Sequence, residues 1–443
     1  KIIGFDMGGT STDVTHFKGE YERSFETLVA GVRMRAPMMQ IHTVAAGGGS
    51  ILRFDGSRYR VGPESAGAIP GPASYRRGGP LTVTDCNILL GKIQCDYFPS
   101  VFGKQANQTL DLDIVRNKFA ELKRKINLTT RKDSTVEEVA IGFLRIAIEN
   151  MANAIKKISI ERGYDITEYT LNCFGGAAGQ HARLVADALG MESIFLHPLA
   201  GVLSAYGMGL ADIRVMREAQ VENIFSDDAE SIIEQACAPL RQQTRDELTR
   251  QNINEEQISN VEKVHLRYEG TDTALPVNRA TKSLMHAEFE QAHAQRFGFI
   301  PSKRVVFIEA VSVEAIATTA LLSDTKITSR LSDTEAIQSG FVNMYVNGQW
   351  QQVPLYERTN IRPAQLIKGP AIIVETNSTV VLEDGWQAEL NQYNHLILQR
   401  FKARKLLEAA GTDADPVLLE VFNNLFMSIA EQMGATLSNT AYS

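Results

Sequence analysis

Cysteine is scarce in this sequence, which contains four in 443 residues. They stand at positions 86, 95, 173 and 237, and no two of them have the close spacing of zinc ligands. So few scattered cysteines are also unlike the dense disulfide framework of a small secreted domain. We therefore expect reduced, mostly buried thiols in a cytoplasmic protein.

Long apolar runs are also missing, and no stretch reaches the roughly 20 residues that a membrane-spanning helix needs. The sequence has no excess of basic residues either. Its net charge of −7 argues against nucleic acid or an anionic membrane as a partner. With 44% hydrophobic and 22% charged residues, the composition is that of an ordinary globular chain. Its length predicts about three domains.

The most informative stretch opens the chain, where an apolar strand over residues 2–5 is followed by Asp6, two glycines and three hydroxyl residues. Glycine lets the backbone approach a ligand closely, and clustered amides and hydroxyls suit phosphate oxygens. Asp6 is placed to hold a water of a hydrated magnesium ion. A tight hairpin, in which Asp6 and Asp13 bond turn amides, is the alternative. The candidate phosphate-binding residues are Gly8, Gly9, Thr10, Ser11 and Thr12.

This stretch resembles the phosphate-binding hairpins of the actin, sugar-kinase and heat-shock ATPase superfamily. More narrowly, its Gly-Gly-Thr-Ser-Thr-Asp sequence is similar to the hairpin that opens the second of two related halves in the hydantoinase/oxoprolinase family. The resemblance implies an α/β, actin-like (ribonuclease H-like) ATPase half-domain that uses ATP and magnesium. Because the chain begins on this strand without a methionine, we expect the first half of such an ATPase to be missing from it.

A second glycine cluster is followed by a serine at residues 47–50. Glycine weakens the interior of a strand and packs against nothing, so this cluster suits a loop that a ligand or another backbone approaches. A bare linker is the alternative. The glycine- and proline-rich residues 62–72 resemble the signature loop of the same family. The candidate cleft or substrate loop consists of Gly47, Gly48, Gly49 and Ser50.

Asp85 lies near the end of a predicted strand over residues 81–87, which ends in Thr-Asp-x-Asn, and a predicted helix starts at Ile88. Aspartate is strongly favoured as a helix N-cap. Its carboxylate could equally point into the cleft, and the two roles are compatible. We therefore count Asp85 with Asp6 among the candidate catalytic residues.

A second strand-to-turn junction follows the predicted strand over residues 169–174, and a helix continues from it to Leu189. Glycines at such a turn let a flat or phosphorylated ligand lie on the backbone, although close helix–strand packing can also require them. The turn resembles the adenosine-binding loop of the family, which usually has glycine where this chain has Ala178. His181 beside it has either a structural role or a catalytic one. The candidate nucleotide-binding residues here are Gly175, Gly176, Ala177 and Gly179.

The remaining pattern predicts the elements around these motifs. Residues 2–5, 14–17 and 21–28 are typical of a three-stranded antiparallel meander. Ser134 and Glu137 form a capping box that opens a long buried helix, and Asn347-Gly348 is typical of a tight hairpin turn. The predicted domains are the ATPase half-domain (1–220), a small α+β module (221–335), a β-rich domain (336–402) and a linker with a first helix (403–443).

That last helix carries an apolar stripe over residues 418–433, which needs a partner surface. It resembles the start of the family's second functional region, the hydantoinase B region, joined here to the first as in fused 5-oxoprolinases. We therefore expect three partners of this chain: the missing first-half ATPase domain, the rest of the hydantoinase B-like region, and further copies in a homo-oligomer.

The resemblance implies part of an ATP-dependent amidohydrolase of the 5-oxoprolinase type, which phosphorylates a small lactam and then hydrolyses it. It leaves an N-methylhydantoinase or an acetone-carboxylase-type subunit as alternatives. The loops at residues 47–50 and 70–72 argue against a sugar-kinase-like phosphotransferase. Outside enzymes, the alternative is a non-catalytic nucleotide-binding scaffold.

Overall fold

The computed structural model describes residues 1–29, 32–162, 164–271, 273–301, 303–318, 335–403 and 415–441. These residues fall into two compact units. The first consists of the described parts of Lys1–Ser204 and Asp324–Ser428, and the second of those of Ala205–Ser323 and Ile429–Ser443. All of the candidate site residues lie in the first unit.

The elements are numbered in chain order. Up to residue 210 they are β1 (Ile2–Met7), β2 (Thr12–Phe17), β3 (Arg23–Val29), β4 (Val32–Met39), β5 (Ile41–Val44), β6 (Ser50–Phe54), β7 (Tyr59–Ser65), α1 (Val83–Leu89), α2 (Leu112–Thr130), α3 (Val136–Ile158), β8 (Thr170–Phe174), α4 (Ala182–Leu189), β9 (Ser193–Leu196) and α5 (Leu203–Leu210). The later elements are β10 (Ile213–Ile224), α6 (Ala229–Arg250), β11 (Ile258–Tyr268), β12 (Leu275–Asn278), α7 (Lys282–Phe297), β13 (Val306–Ala317), β14 (Gly340–Val346), β15 (Gln349–Glu357), β16 (Leu366–Lys368), β17 (Ala371–Val374), β18 (Thr379–Leu382), β19 (Trp386–Leu390), β20 (Leu396–Arg400) and α8 (Pro416–Ala441).

The described part of the first unit is built on an eight-stranded sheet in the order β16–β19–β20–β9–β8–β1–β2–β5. Within it, β1, β8 and β9 run parallel, and β2 pairs with β1 as an antiparallel hairpin. Alternate residues of β1 enter the core, because Ile3, Phe5 and Met7 are fully buried. Helix α3 packs against β2 and β5. The predicted α/β class is therefore confirmed.

The three parallel strands bring the predicted motifs together. The carboxyl ends of parallel strands lie at one edge of a sheet, where ligands of open α/β sheets usually bind. The segments that leave β1, β8 and β9 at this edge are residues 8–11, 175–179 and 197–202. The phosphate motif and the adenosine motif consequently share an edge.

Two local predictions need correction. The third strand of the predicted meander is wrong, because β2 pairs with β5 while β3 pairs with β4 in a separate ribbon. The capping box of α3 lies one residue later than predicted: Thr135 is the N-cap and Glu138 completes the box. In both cases neighbouring residues of similar type offer the same local signal, and the packing of the apolar face decides between them.

The predicted β-rich domain at 336–402 does not stand apart from the ATPase half-domain. Four of its strands form their own sheet in the order β14–β15–β17–β18, but β16, β19 and β20 extend the main sheet. β20 pairs with β9 in antiparallel register, from Leu396 opposite Leu196 to Gln399 opposite Ser193. The predicted Asn347-Gly348 hairpin joins β14 to β15, and both of its turn residues have positive φ.

The second unit is an α+β module. Its described strands form a sheet in the order β10–β13–β11–β12, with α6 and α7 as its long helices. Its first strand, β10, begins at Ile213 and pairs with β13. The predicted boundary at 220 stays a prediction. Among the helices in the described part of the chain, none is both long and apolar enough to cross a membrane.

Candidate functional site

The turn between β1 and β2, residues 8–11, is the centre of the site. The turn is closed by a 3.1 Å hydrogen bond from the Gly8 amide to the Ser11 carbonyl oxygen. Within the described residues, the amide groups of Gly9, Thr10 and Ser11 donate no hydrogen bond to the protein. Gly9 and Thr10 are exposed to solvent. Successive unpaired amides in a turn form a concavity suited to an anion.

The triple-glycine loop, residues 47–49, packs against this turn and donates hydrogen bonds to its carbonyl oxygens. The Gly48 amide donates to the Gly8 carbonyl oxygen at 3.1 Å, and the Gly49 amide donates to that of Gly9 at 2.5 Å. A Cβ atom on Gly47 would lie 2.7 Å from the carbonyl carbon of Thr10. The backbone of residues 8–10 is thus in contact with this loop, and the role of residues 47–50 as a cleft or substrate loop stays a prediction. The fourth residue, Ser50, is buried and accepts a 2.9 Å hydrogen bond from the Gly47 amide.

Thr12 differs from the other hydroxyl residues of the motif. It is fully buried, and its hydroxyl donates to the carbonyl oxygen of Ala46 at 2.5 Å. The side chain therefore fixes the start of the triple-glycine loop and does not present its hydroxyl to a ligand. Its proposed contact with nucleotide stays a prediction, and this geometry does not favour it.

Asp6 lies half-buried at the end of β1, directly opposite Asp13 of β2. The Ser204 hydroxyl donates to Oδ2 of Asp6 at 2.8 Å, and the Thr43 hydroxyl donates to Asp13 at 2.5 Å. Burial raises the pKa of Asp6, the Ser204 hydrogen bond opposes that shift, and the charge of Asp13 adds to it. Like charges directly opposite on a hairpin are destabilising, so a cation near this pair would be favourable.

The fit of this pair to magnesium follows from its donor set. In the described ranges, no group of three or more His, Cys, Asp or Glu side chains is arranged to hold a metal ion. Magnesium usually retains several waters and takes only one or two carboxylates together with phosphate oxygens. Asp6 beside the unpaired amides of residues 9–11 satisfies that requirement.

The Gly175 loop, residues 175–179, lies against the same turn. Gly175 has a φ of +87°, and a Cβ atom there would lie 2.4 Å from Oδ1 of Asp6. The Ala177 amide donates to the Met7 carbonyl oxygen at 3.1 Å. Gly179 packs on another segment, because a Cβ atom on it would lie 2.7 Å from the Thr379 carbonyl oxygen. Close packing thus explains the glycines at 175 and 179, whereas Gly176 is exposed and a Cβ atom on it would make only an ordinary contact, 3.7 Å from the Asn377 carbonyl oxygen.

His181 is fully buried behind this loop. Its Nε2 lies 3.1 Å from Nδ2 of Asn87, which also donates to Oε1 of Gln180 at 2.9 Å. Burial, followed by the positive charge of Lys92, lowers the pKa of His181 to about 3. Full burial favours the structural role for His181, and the catalytic role stays a prediction that this geometry does not favour.

A buried ion-pair cluster adjoins His181. Lys92 and Arg183 both bind Glu383, with 2.5 Å between Nζ of Lys92 and Oε1 of Glu383. Burial alone would raise the pKa of Glu383, but the two cations outweigh it and lower the pKa to about 2. Glu383 follows β18, so the later part of the chain helps to hold α1 and α4 beside the Gly175 loop. No sequence motif pointed to this residue.

Asp85 supports the fold of a neighbouring loop. The strand predicted over residues 81–87 is wrong, because α1 already begins at Val83. The prediction that Asp85 is the helix N-cap is wrong by three residues: Thr82 is the N-cap of α1, and Asp85 completes its capping box. Its carboxylate accepts hydrogen bonds from the amides of Ala73, Ser74 and Thr82 at 2.8–3.1 Å. Burial raises its pKa despite these bonds. A catalytic role for Asp85 stays a prediction, and this geometry does not favour it because both oxygens are engaged.

Sequence reasoning also missed Ser204. It stands 198 positions from Asp6 in a stretch of small residues, and nothing in that stretch links it to a carboxylate. Only the return of the chain from β9 to the carboxyl edge of the sheet brings the two side chains together.

Family models match almost the whole chain. The hydantoinase/oxoprolinase model matches residues 1–217, and the model of the hydantoinase/oxoprolinase C-terminal domain matches residues 222–401. The similar curated proteins include 5-oxoprolinase 1 of Arabidopsis thaliana, with 39% identity over all of this chain and 36% of that protein. The 5-oxoprolinase of Saccharomyces cerevisiae is 35% identical, with the same coverage of both chains. The chain thus spans about a third of the length of these relatives.

Among solved structures, the chain is similar to the crystal structure of the ATP-dependent caprolactamase from Pseudomonas jessenii. The TM-score is 0.79 at 28% identity, and the match covers 90% of this chain and 58% of that one.

Proposed function

The chain belongs to the hydantoinase/oxoprolinase family, and from that premise we propose that it forms part of an ATP-dependent hydrolase of cyclic amides. The observation that carries the proposal is the set of unpaired amides at Gly9, Thr10 and Ser11 beside the carboxylate of Asp6. Stabilisation of charge on a transferring phosphoryl group by fixed donors is the main source of rate in such chemistry.

In this proposal each part of the site has one task. The amides of residues 9–11 bind phosphate oxygens, and Asp6 binds a water of hydrated magnesium, with Ser204 fixing the carboxylate orientation. Magnesium would supply positive charge to the phosphates. The open backbone at Gly176 lies under the nucleoside, and Ala177 lies between it and the phosphate turn.

The proposed reaction joins phosphoryl transfer to ring opening. The lactam oxygen attacks the γ-phosphorus, forming an O–P bond while the bond from that phosphorus to the ADP oxygen breaks. Water then adds to the activated ring carbon, and the C–N bond breaks as the nitrogen takes up a proton. A second water releases phosphate from the resulting acyl phosphate. The nitrogen remains in the product as an amine and the carbonyl carbon as a carboxylate.

We propose 5-oxo-L-proline as the substrate and L-glutamate as the product. The support is that relatives called 5-oxoprolinase match the chain over its full length at 35–39% identity, whereas the caprolactamase subunit alpha matches 88% of it at 30%. Caprolactam and N-methylhydantoin are the competing cyclic amides. As parts of the site lie outside residues 1–443 in this proposal, the isolated chain should not turn over.

Phosphate release tests the proposal. The assay uses the natural polypeptide that contains this sequence, with magnesium and ATP, and compares 5-oxoproline, caprolactam and N-methylhydantoin at equal concentrations. Release stimulated by 5-oxoproline alone is the expected result. Stimulation by caprolactam or N-methylhydantoin instead would show that 5-oxoproline is the wrong substrate. If none of the three cyclic amides stimulates release, the proposed activity is wrong.

A further inference from the structure

The turn between β17 and β18, residues 375–378, lies against two of the loops that line the candidate site. A Cβ atom on Gly201 would lie 2.7 Å from Cβ of Asn377, and one on Gly176 would lie 3.7 Å from the Asn377 carbonyl oxygen. Gly201 must therefore lack a side chain for Asn377 to lie where it does. Asn377 belongs to the region that the sequence predicted to be a separate β-rich domain.

The Gly175 loop connects Asn377 to the end of β1, from which the phosphate-binding turn leaves. A Cβ atom on Gly175 would lie 2.4 Å from Oδ1 of Asp6, and the Ala177 amide donates to the Met7 carbonyl oxygen at 3.1 Å. Gly176, between these two residues, is exposed and faces Asn377. The exposed backbone of Gly176 therefore lies between the end of β1 and Asn377.

The turn that carries Asn377 is firmly held. Arg358 and Glu375 form a buried ion pair at its base, and Glu375 also accepts a hydrogen bond from the Ser378 hydroxyl. The Glu375 amide donates to the Ser378 carbonyl oxygen at 3.0 Å, which closes the turn. Asn377 is exposed at the tip, and within the described residues its side-chain amide makes no hydrogen bond. An exposed amide on a rigid support is well suited to recognise a ligand.

We propose that Asn377 binds the base of the nucleotide, an inference that rests on the proposed ATP site. The exposed Gly176 lies between the end of β1 and the turn that carries Asn377, so a triphosphate bound at residues 9–11 whose nucleoside lies over Gly176 brings its base to Asn377. The amide offers one acceptor, Oδ1, and one donor group, Nδ2. The N6 and N7 edge of adenine is complementary to that pair in a bidentate contact. Asn377 is thus a specificity-determining residue.

The test compares two ligands that share the triphosphate. Calorimetric titration measures the affinity of the natural polypeptide that contains this sequence for magnesium-ATP and for magnesium tripolyphosphate, which has no base. Asn377→Ala should weaken ATP binding about tenfold, the loss expected for one good bidentate base contact. Tripolyphosphate binding should stay unchanged. Asn377→Asp keeps the shape of the side chain but removes the donor. It should also weaken the binding of ATP more than that of tripolyphosphate.

Asn254→Ala is the matched control, because Asn254 is an exposed asparagine in the second unit whose side chain makes no capping hydrogen bond. It should leave both affinities unchanged. Equal ATP affinity in Asn377→Ala and the parent would overturn the inference, as would an equal loss for both ligands. If the natural polypeptide without substitution binds neither ligand, the phosphate site itself is wrong, which is a different outcome from either of these.

Discussion

The amide of Gly49 donates a hydrogen bond to the carbonyl oxygen of Gly9 across 2.5 Å. This contact, with the parallel one from Gly48 to Gly8, fixes the carbonyl side of the β1–β2 turn against the triple-glycine loop. Because a peptide unit is planar, a fixed carbonyl also fixes the amide of the next residue. The loop therefore preorganises the unpaired amides of Gly9 and Thr10.

Gly9→Val should abolish binding of magnesium-ATP while leaving the fold intact. A Cβ atom on Gly9 meets nothing within 4 Å, so the fold has room for the new side chain, which would occupy the space above the amides. Calorimetric titration gives the affinity, and thermal unfolding gives the stability. Gly434→Val, at an equally open position on α8, is the control and should bind as the parent does. Unchanged affinity in a folded Gly9→Val protein would remove the phosphate assignment.

Gly47→Val, unlike Gly9→Val, should clearly lower the stability of the fold. Its Cβ atom would lie 2.7–2.8 Å from backbone atoms of Gly9 and Thr10, which belong to a paired turn and cannot move away freely. Overpacking of this kind typically costs about 1–3 kcal/mol. Urea unfolding of the variant measures the change against the parent. A free energy of unfolding equal to that of the parent would show that the loop does not support the turn.

Asp6→Asn should reduce magnesium-dependent turnover more than it reduces nucleotide binding. The carboxylate orients a hydrated ion, whereas the amides of residues 9–11 bind the phosphates directly. Phosphate release by the natural polypeptide is measured as magnesium is varied, alongside the ATP affinity. Asp13→Asn is the matched comparison, since Asp13 faces Asp6 across the hairpin. If release in Asp6→Asn equals that of the parent, Asp6 is only a turn residue.

His181 should make the stability of the protein fall with acidification. Its folded pKa of about 3 lies below the value of about 6.5 in an unfolded chain, so the unfolded state binds one more proton between these limits. The contribution of this group to the free energy of unfolding is fully present above pH 6.5. It is lost as the pH falls towards 3, at about 1.4 kcal/mol per pH unit.

Replacing the buried imidazole should remove that slope. Urea unfolding of the parent and of His181→Gln is measured from pH 7 to pH 5, and the parent should lose more stability over this range. His286→Gln, at an exposed histidine of α7, should retain the slope of the parent. Parallel pH profiles for the parent and His181→Gln would show that His181 takes up its proton at the same pH in the folded and the unfolded protein, which contradicts the prediction.

The apolar side chains on α8 should drive self-association. Phe422 and Phe426 are 45% and 67% exposed, and a contiguous exposed apolar stripe usually marks an interaction surface. Light scattering after size exclusion, at several concentrations, reads the mass. Phe426→Ser should lower it, whereas Leu128→Ser, at an isolated exposed leucine of α2, should not. A monomeric parent at all concentrations would contradict the prediction.

Local patterns predicted much of this structure. The glycine-rich turn after β1, the long helix α3 and the Asn347-Gly348 hairpin each carry their information within a few neighbouring residues. Capping and turn preferences are local properties, so one sequence suffices to find them.

The unpredicted features depend on contacts distant in sequence. The sequence predicted a β-rich domain at 336–402 but did not show that β20 within it pairs with β9. Asn377 is an ordinary turn residue until the fold brings it against Gly176 and Gly201. Likewise, Thr12 looked like one more hydroxyl of the motif until Ala46 proved to be its acceptor.

Amide resonances provide the most direct test that residues 9–11 bind phosphate. The chain is labelled with ¹⁵N-glycine, ¹⁵N-threonine and ¹⁵N-serine in separate samples, and relaxation-optimised spectra are recorded as magnesium-ATP is added. The amides of Gly9, Thr10 and Ser11 should show the largest shifts and should saturate together, because each gains a phosphate acceptor. The assignment would be contradicted if the resonances of these three residues did not move at ATP concentrations that saturate the shifts of other resonances.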